Sequence, residues 1–252
     1  MGDSFFFTLQ IAANNILTII LMKSHSFLCL LLAGVSCAAF FSGACANELP
    51  STLKPQVNER AVYDWNGRHK AVMERNRSVN PEYAVFSDSI THRWGGEPSG
   101  DNRGLGTGKE AWKNLFSPHT VTNMGFGSDY VDNAYYRVQL GELDGISPRV
   151  IIVLLGTNNL GGRKDTPQSC ADNLKAFVSL VGRKCPASKI LLLGILPRKE
   201  KAVAPLIVET NKMISVLADG KRVFFANPGT AFLAEDGVSP KSGLLVDGLH
   251  PS

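Results

Sequence analysis

Charge is scarce in this 252-residue sequence and nearly cancels: 26 Lys and Arg face 22 Asp and Glu, a formal net charge of +4. The basic residues form no stripe longer than two or three and are not interleaved with aromatics, which argues against a nucleic-acid-binding surface. Cysteine is scarce as well. Of five, Cys29, Cys37 and Cys45 precede residue 46, leaving Cys170 and Cys185. These two flank a helical stretch over 171–181 that spans roughly 20 Å, against the ~7 Å between the Cα atoms of a disulfide, so no internal bridge is expected. Repeats and low-complexity tracts are missing. With 44% hydrophobic residues and about 100 to 200 residues per domain, the chain reads as one globular domain behind a leader.

The leader starts at Met22 and Lys23, runs apolar from 27 to 41, and ends in Ala44-Cys45-Ala46 before Asn47-Glu48. This is the three-part pattern of a secretory signal, with cleavage expected after Ala46 and a secreted or periplasmic product. An uncleaved anchor is the alternative, but the run is shorter than the ~20 residues a spanning helix needs, so no stable membrane insertion is expected after cleavage. Cys37 or Cys45 as a lipidated N-terminus would want a large aliphatic residue three places earlier, where Gly34 and Ser42 stand. Residues 1–21 lack a basic start and read as the product of an upstream start codon called in error.

Past the leader, residues 47–58 are polar with Pro50 and Pro55, an extended lead-in. Residues 61–77 carry Val62, Trp65, His69, Val72 and Met73 at helical spacing, which predicts an amphipathic helix. Five β-like runs follow, at 83–86, 121–123, 150–155, 190–195 and 223–226. The third and fourth, VIIVLL and ILLLGI, are apolar without alternation, as in strands buried on both faces of a parallel sheet. Helical stretches near 109–116, 129–140, 169–182 and 203–218 lie between the runs. The expectation is a three-layer α/β/α fold around a five-stranded parallel sheet, flavodoxin-like, with its chemistry in the loops at the carboxyl ends of the strands.

Those loops hold four signals. After the first run, Ser87-Asp88-Ser89 places a hydroxyl at a strand-to-helix turn, as a nucleophile or as a helix cap. After the second, Gly125-Phe126-Gly127-Ser128 is a turn able to expose backbone N–H donors. After the third, Asn158 in Gly-Thr-Asn-Asn offers a side-chain amide to a developing oxyanion, or caps a turn. Near the end, Asp247 stands three residues before His250, the spacing at which a carboxylate can hold Nδ1–H while Nε2 faces a nucleophile.

Taken together, the sequence resembles the SGNH (GDSL-type) hydrolase superfamily, whose blocks are GDS, a Gly-bearing turn, GxND or GTNN, and DxxH. Within it, the stretches FSDSITHRW, LFSPHTVTNMGFGSD, RVQLGELDGISPRVIIVLLGTNN, ILLLGILPR and DGLHP resemble the branch of platelet-activating-factor acetylhydrolase catalytic subunits and secreted bacterial esterases. The resemblance implies Ser89 as nucleophile, His250 as base and then acid, and Asp247 as its orienting carboxylate. It implies an oxyanion hole from the backbone N–H groups of Ser89 and Ser128 and the amide of Asn158, with no metal or organic cofactor.

Three departures accompany it. Ser87 and Ser128 stand where the family usually has Gly, and the chain ends at Ser252 where relatives continue into a C-terminal helix, implying a 47–252 domain that lacks it. The expected activity is removal of small acyl groups, acetyl first, from carbohydrate or lipid esters. A polar loop at 95–108 leans the reading toward glycans. A lysophospholipase or platelet-activating-factor acetylhydrolase-like lipid esterase is the alternative enzyme, and a catalytically silent SGNH-like binding module the alternative of another class. The related acetylhydrolase subunits imply that a homodimer is possible. Four other features are set aside. Gly2-Asp3-Ser4 lies in the leader, residues 104–109 miss the spacing of a phosphate loop, and His92 and His119 have no partners at metal-ligand spacing.

Overall fold

The computed structural model describes residues 49–96, 98 and 108–251; the leader with its cleavage site and most of the 95–108 loop lie outside them. Five strands, β1 (Tyr83–Ser87), β2 (Val121–Gly125), β3 (Val150–Leu154), β4 (Lys189–Leu193) and β5 (Val223–Ala226), form one sheet in the order β2-β1-β3-β4-β5. Every pairing is parallel, with Ser87 level with Gly125 on one side and Leu154 on the other. Three loops carrying the candidate residues therefore leave the sheet at one edge. The order reverses between β1 and β3, where such sheets open a crevice for ligand.

The unalternating apolar strands are explained by the period-two geometry of a strand, which sends successive side chains to opposite faces. Ala84, Phe86, Ile151, Val153, Ile190 and Leu192 join the larger core beneath α1 (Trp65–Val79), α4 (Val131–Gln139), α5 (Pro167–Lys184) and α6 (Ala204–Ser215). Tyr83, Val85, Val150, Ile152 and Leu191 pack on the other face, where α3 (Lys109–Phe116) contributes Trp112, Leu115 and Phe116. Each Val, Leu, Ile or Phe among them, once buried, contributes roughly 1.5–3 kcal/mol. Strand β5, at the sheet edge, is only half buried.

The helix bounds differ from the periodicity where caps override it. The first helix begins at Trp65 because the Asp64 carboxylate accepts the Gly67 N–H, which releases residues 61–63 from the helix. Thr166 caps α5 with Pro167 in its first turn, so that helix starts before the expected 169. Asp129 and Tyr130 stay outside α4 because the Asp129 side chain is drawn into the core. Cys170 lies in α5 and Cys185 follows it, both free and buried. Among the described residues no helix is long and apolar enough to cross a membrane, and no three His, Cys, Asp or Glu side chains are grouped to hold a metal ion.

Candidate active site

The nucleophile candidate stands where β1 hands over to the short helix α2 (Ser89–Trp94). Asp88 caps that helix by accepting the Ile90 N–H at 2.9 Å, which leaves Ser89 as its first residue, above the sheet. Burial pushes the Asp88 carboxyl up to about 7, against the Ile90 hydrogen bond that lowers it.

His250 reaches Ser89 from the far end of the chain: Nε2 lies 2.8 Å from Ser89 Oγ, and Nδ1 lies 2.6 Å from Asp247 Oδ2. The other Asp247 oxygen accepts the backbone N–H of His250 at 2.8 Å and of Leu249 at 3.1 Å. The loop is thus wound around its own carboxylate, and a bridge between Leu245 and Pro251 closes it. With Nδ1–H donated to Asp247, the Nε2 lone pair faces the Ser89 hydroxyl, the arrangement a general base requires.

The oxyanion side is assembled differently. Phe126 N–H donates to Ser87 O at 3.0 Å, tying the second loop to the first. Gly125 passes so close to α2 that a Cβ would lie 2.5 Å from the backbone nitrogen of His92, so only glycine fits. Ser128 follows at φ 64, in the left-handed region. Neither Ser89 N–H nor Ser128 N–H has a hydrogen-bond partner among the described residues. Asn158, after β3, donates one amide hydrogen to Asp129 O at 3.0 Å, its second having no partner among the described residues, while its neighbour Asn159 is buried and braces Val131 and Asp165.

Residues 88–252, more than half of the chain, match the model of the GDSL-like lipase/acylhydrolase family. The chain belongs to this family. It is 41% identical over 153 residues to the human platelet-activating factor acetylhydrolase IB subunit alpha2, covering 58% of this chain and 60% of the relative. It is 29% identical over 193 residues to the human alpha1 subunit, covering 75% and 76%. The chain thus spans about three fifths of the length of the alpha2 subunits it matches. Among solved structures it is similar to a GDSL-like lipase from Bacteroides thetaiotaomicron (17% identity, TM-score 0.57, covering 74% of this chain and 90% of that one). It is also similar to a lipolytic G-D-S-L family protein from Veillonella parvula (17% identity, TM-score 0.53, 68% and 88%). Both share the fold.

Against the family's Gly pattern, the two serine departures have different consequences. Ser87 does not adopt a positive φ; it is the last residue of β1, and its cost is a buried hydroxyl without a hydrogen-bond partner among the described residues. The left-handed strain falls on Ser128 instead.

Electrostatically the Asp–His pair shifts unevenly. Desolvation works to raise Asp247, yet the backbone N–H and imidazole of His250 and the Leu249 N–H together hold it well below the usual carboxylate range. Its side chain keeps 45% of its exposure, so solvent screens part of this. The sequence alone suggests that Asp247 lifts the His250 pKa. In the fold His250 is lowered, because burial outweighs the Asp247 hydrogen bond and Arg93 adds a nearby positive charge. Arg93, on α2, donates to Asp247 Oδ2 at 3.3 Å and lies 3.1 Å from His250 Nδ1. Sequence reasoning missed Arg93 for lack of a motif, although it sits one helical turn after Ser89.

The two set-aside histidines have structural partners. His92 accepts the Gly127 N–H on Nδ1 at 3.0 Å, and His119 pairs with Glu82 at 3.1 Å.

Proposed function

We propose that this chain is a serine esterase that removes short acyl groups, acetyl first, from carbohydrate or lipid esters by two-step acyl transfer. The observation that carries the reading is the continuous chain Asp247 Oδ2, His250 Nδ1, His250 Nε2, Ser89 Oγ, with contacts of 2.6 and 2.8 Å. In the first step Ser89 Oγ attacks the ester carbonyl carbon as its proton passes to His250 Nε2. The carbonyl oxygen gathers charge against the N–H groups of Ser89 and Ser128 and the second amide hydrogen of Asn158. Collapse breaks the bond to the alcohol, which leaves with the proton from His250, and acyl-Ser89 remains. Water then attacks the acyl carbon, His250 again takes and returns a proton, and the acid departs. The carboxylate of Asp247 keeps the imidazole in one tautomer throughout.

A second reading, a lipid esterase of the kind named in the acetylhydrolase relatives, is favoured by the 41% identity over 153 residues. Turnover of p-nitrophenyl esters of increasing acyl length, beside the Ser89→Ala variant, tests all of this. A steep preference for acetate with loss of about 10³-fold or more in the variant supports the short-acyl esterase. Preference for long chains favours the lipid reading, and absence of turnover returns the silent binding module. Export from the cell is part of the proposal, resting on the pattern at 22–46; a product beginning at Asn47 is its expected mark.

A further inference from the structure

The turn after β2 hangs over the sheet edge, and its backbone hydrogen bonds can be followed one by one. Of its N–H groups, Phe126 donates to Ser87 O, Gly127 to His92 Nδ1, Asp129 to Phe126 O and Tyr130 to Asn133 Oδ1. Only the Ser128 N–H has no partner among the described residues. The two carbonyls that flank the Ser128 N–H are held by side chains. Gly127 O accepts from Asn58 Nδ2 and from Tyr63 OH, each at 3.3 Å, and Ser128 O accepts from Arg60 Nη2 at 2.8 Å.

The peptide unit between Gly127 and Ser128 turns these contacts into direction. In a trans peptide the C=O and the following N–H point opposite ways. Holding Gly127 O toward Asn58 and Tyr63 therefore aims Ser128 N–H away from them. Arg60 holds the next carbonyl, which keeps Ser128 in the left-handed conformation that its side chain disfavours. The Arg60 guanidinium is itself fixed, lying 3.5 Å from the Tyr130 ring centroid and reaching Asn133 Oδ1 at 3.4 Å. Asn58 is anchored by the buried Asp129 carboxylate at 3.0 Å. All three residues lie before the stretch that the family model matches, 60 or more positions from the turn they grip.

We propose that residues 58–63 form a positioning strap, with Asn58, Arg60 and Tyr63 aiming the Ser128 N–H at the developing oxyanion of the acyl-transfer reaction. The inference rests on the serine-esterase reading above. A strap that only positions a transition-state donor leaves ground-state binding alone, so its loss lowers kcat and leaves KM in place.

The test is steady-state hydrolysis of p-nitrophenyl acetate by the full chain, comparing wild type, Arg60→Ala, Arg60→Lys, Tyr63→Phe, the Arg60→Ala/Tyr63→Phe double variant and Ser89→Ala. Loss of an oxyanion donor costs about 10²- to 10³-fold, so mis-aiming one is expected to cost roughly 10-fold in kcat in the double variant with KM unchanged. Arg60→Lys, which keeps a cationic donor, is expected to recover part of the loss, and the pH profile is expected to keep its midpoint because His250 is untouched. Affinity for a boronic acid that adds to Ser89 and presents a tetrahedral oxyanion is expected to weaken in step with kcat. A double variant within twofold of wild type, or one in which KM alone changes, overturns the strap. Activity that survives Ser89→Ala overturns instead the serine-esterase reading beneath it. Arg60 is exposed and Tyr63→Phe removes a single hydroxyl, so both variants are expected to fold, with urea midpoints near wild type.

Discussion

The two halves of the candidate site are held by opposite means. The Asp247–His250 half is local: one carboxylate three residues before the imidazole collects two backbone N–H groups and the ring, and it remains nearly half exposed. The Ser128 half is long-range and rests on a dry anchor. Asp129 is fully buried, accepts Asn58, Trp65 and Arg137, and shares Arg137 with the buried Glu142. Arg137 also lies 3.7 Å from the Phe126 ring centroid. A proton-transfer pair can be written into five residues because its geometry depends on one short loop. A backbone donor has no side chain of its own to aim, so it has to be aimed by everything around it.

The largest effect expected is on the local half. Asp247→Asn should lower kcat by roughly 10⁴-fold, because the amide no longer holds the imidazole in the tautomer that faces Ser89, with little change in a urea melt. In the dry half the weight shifts from rate to stability. Arg137→Met leaves the carboxylates of Asp129 and Glu142 buried and without their cation, and should cost about 3–5 kcal/mol in equilibrium denaturation.

His92 sharpens the contrast through pH. Burial first, then the nearby Arg68, Arg137 and Arg93, press its pKa down to about 3, so the native state keeps it neutral while the unfolded chain takes up a proton near 6.5. The stability this neutral ring contributes is present above pH 6.5 and lost as pH falls from 6.5 toward 3. Denaturation curves across that window should therefore be flatter for His92→Gln than for wild type, by up to roughly 1.4 kcal/mol per pH unit.

Ser128→Gly should add about 1 kcal/mol of stability by relieving the left-handed residue while keeping the N–H, visible as a higher urea midpoint. The smallest effect belongs to Arg93. Activity should rise with pH through a midpoint below the ordinary histidine value, since burial and Arg93 both lower His250; Arg93→Gln should move the midpoint of kcat/KM upward.

The parts of the site that could be read in the sequence were those whose chemistry is compact in the chain. DGLHP carries its own hydrogen bonds, and Ser89 follows a strand whose apolar run is unmistakable. The strap is not legible in the sequence for a physical reason. Residues 47–58 look like a polar lead-in and 61–77 like a continuous helix, and nothing in the order of residues says that Asp64 caps the helix late or that Arg60 meets Ser128. The pKa of His250 was misjudged in the same way, because Asp247 is visible three residues away while the burial of the ring and the approach of Arg93 are not.

What the amino-acid order determined by itself was the parallel α/β layering and the residues able to do acyl-transfer chemistry. Strand hydrophobicity and the three-residue Asp–His spacing are local properties of the chain. Only the tertiary structure decided where the Ser128 N–H points, which serine bears the left-handed strain, and how far burial offsets the carboxylate beside His250. Those are sums over neighbours more than sixty positions apart, and desolvation and backbone aim exist only once those neighbours have met.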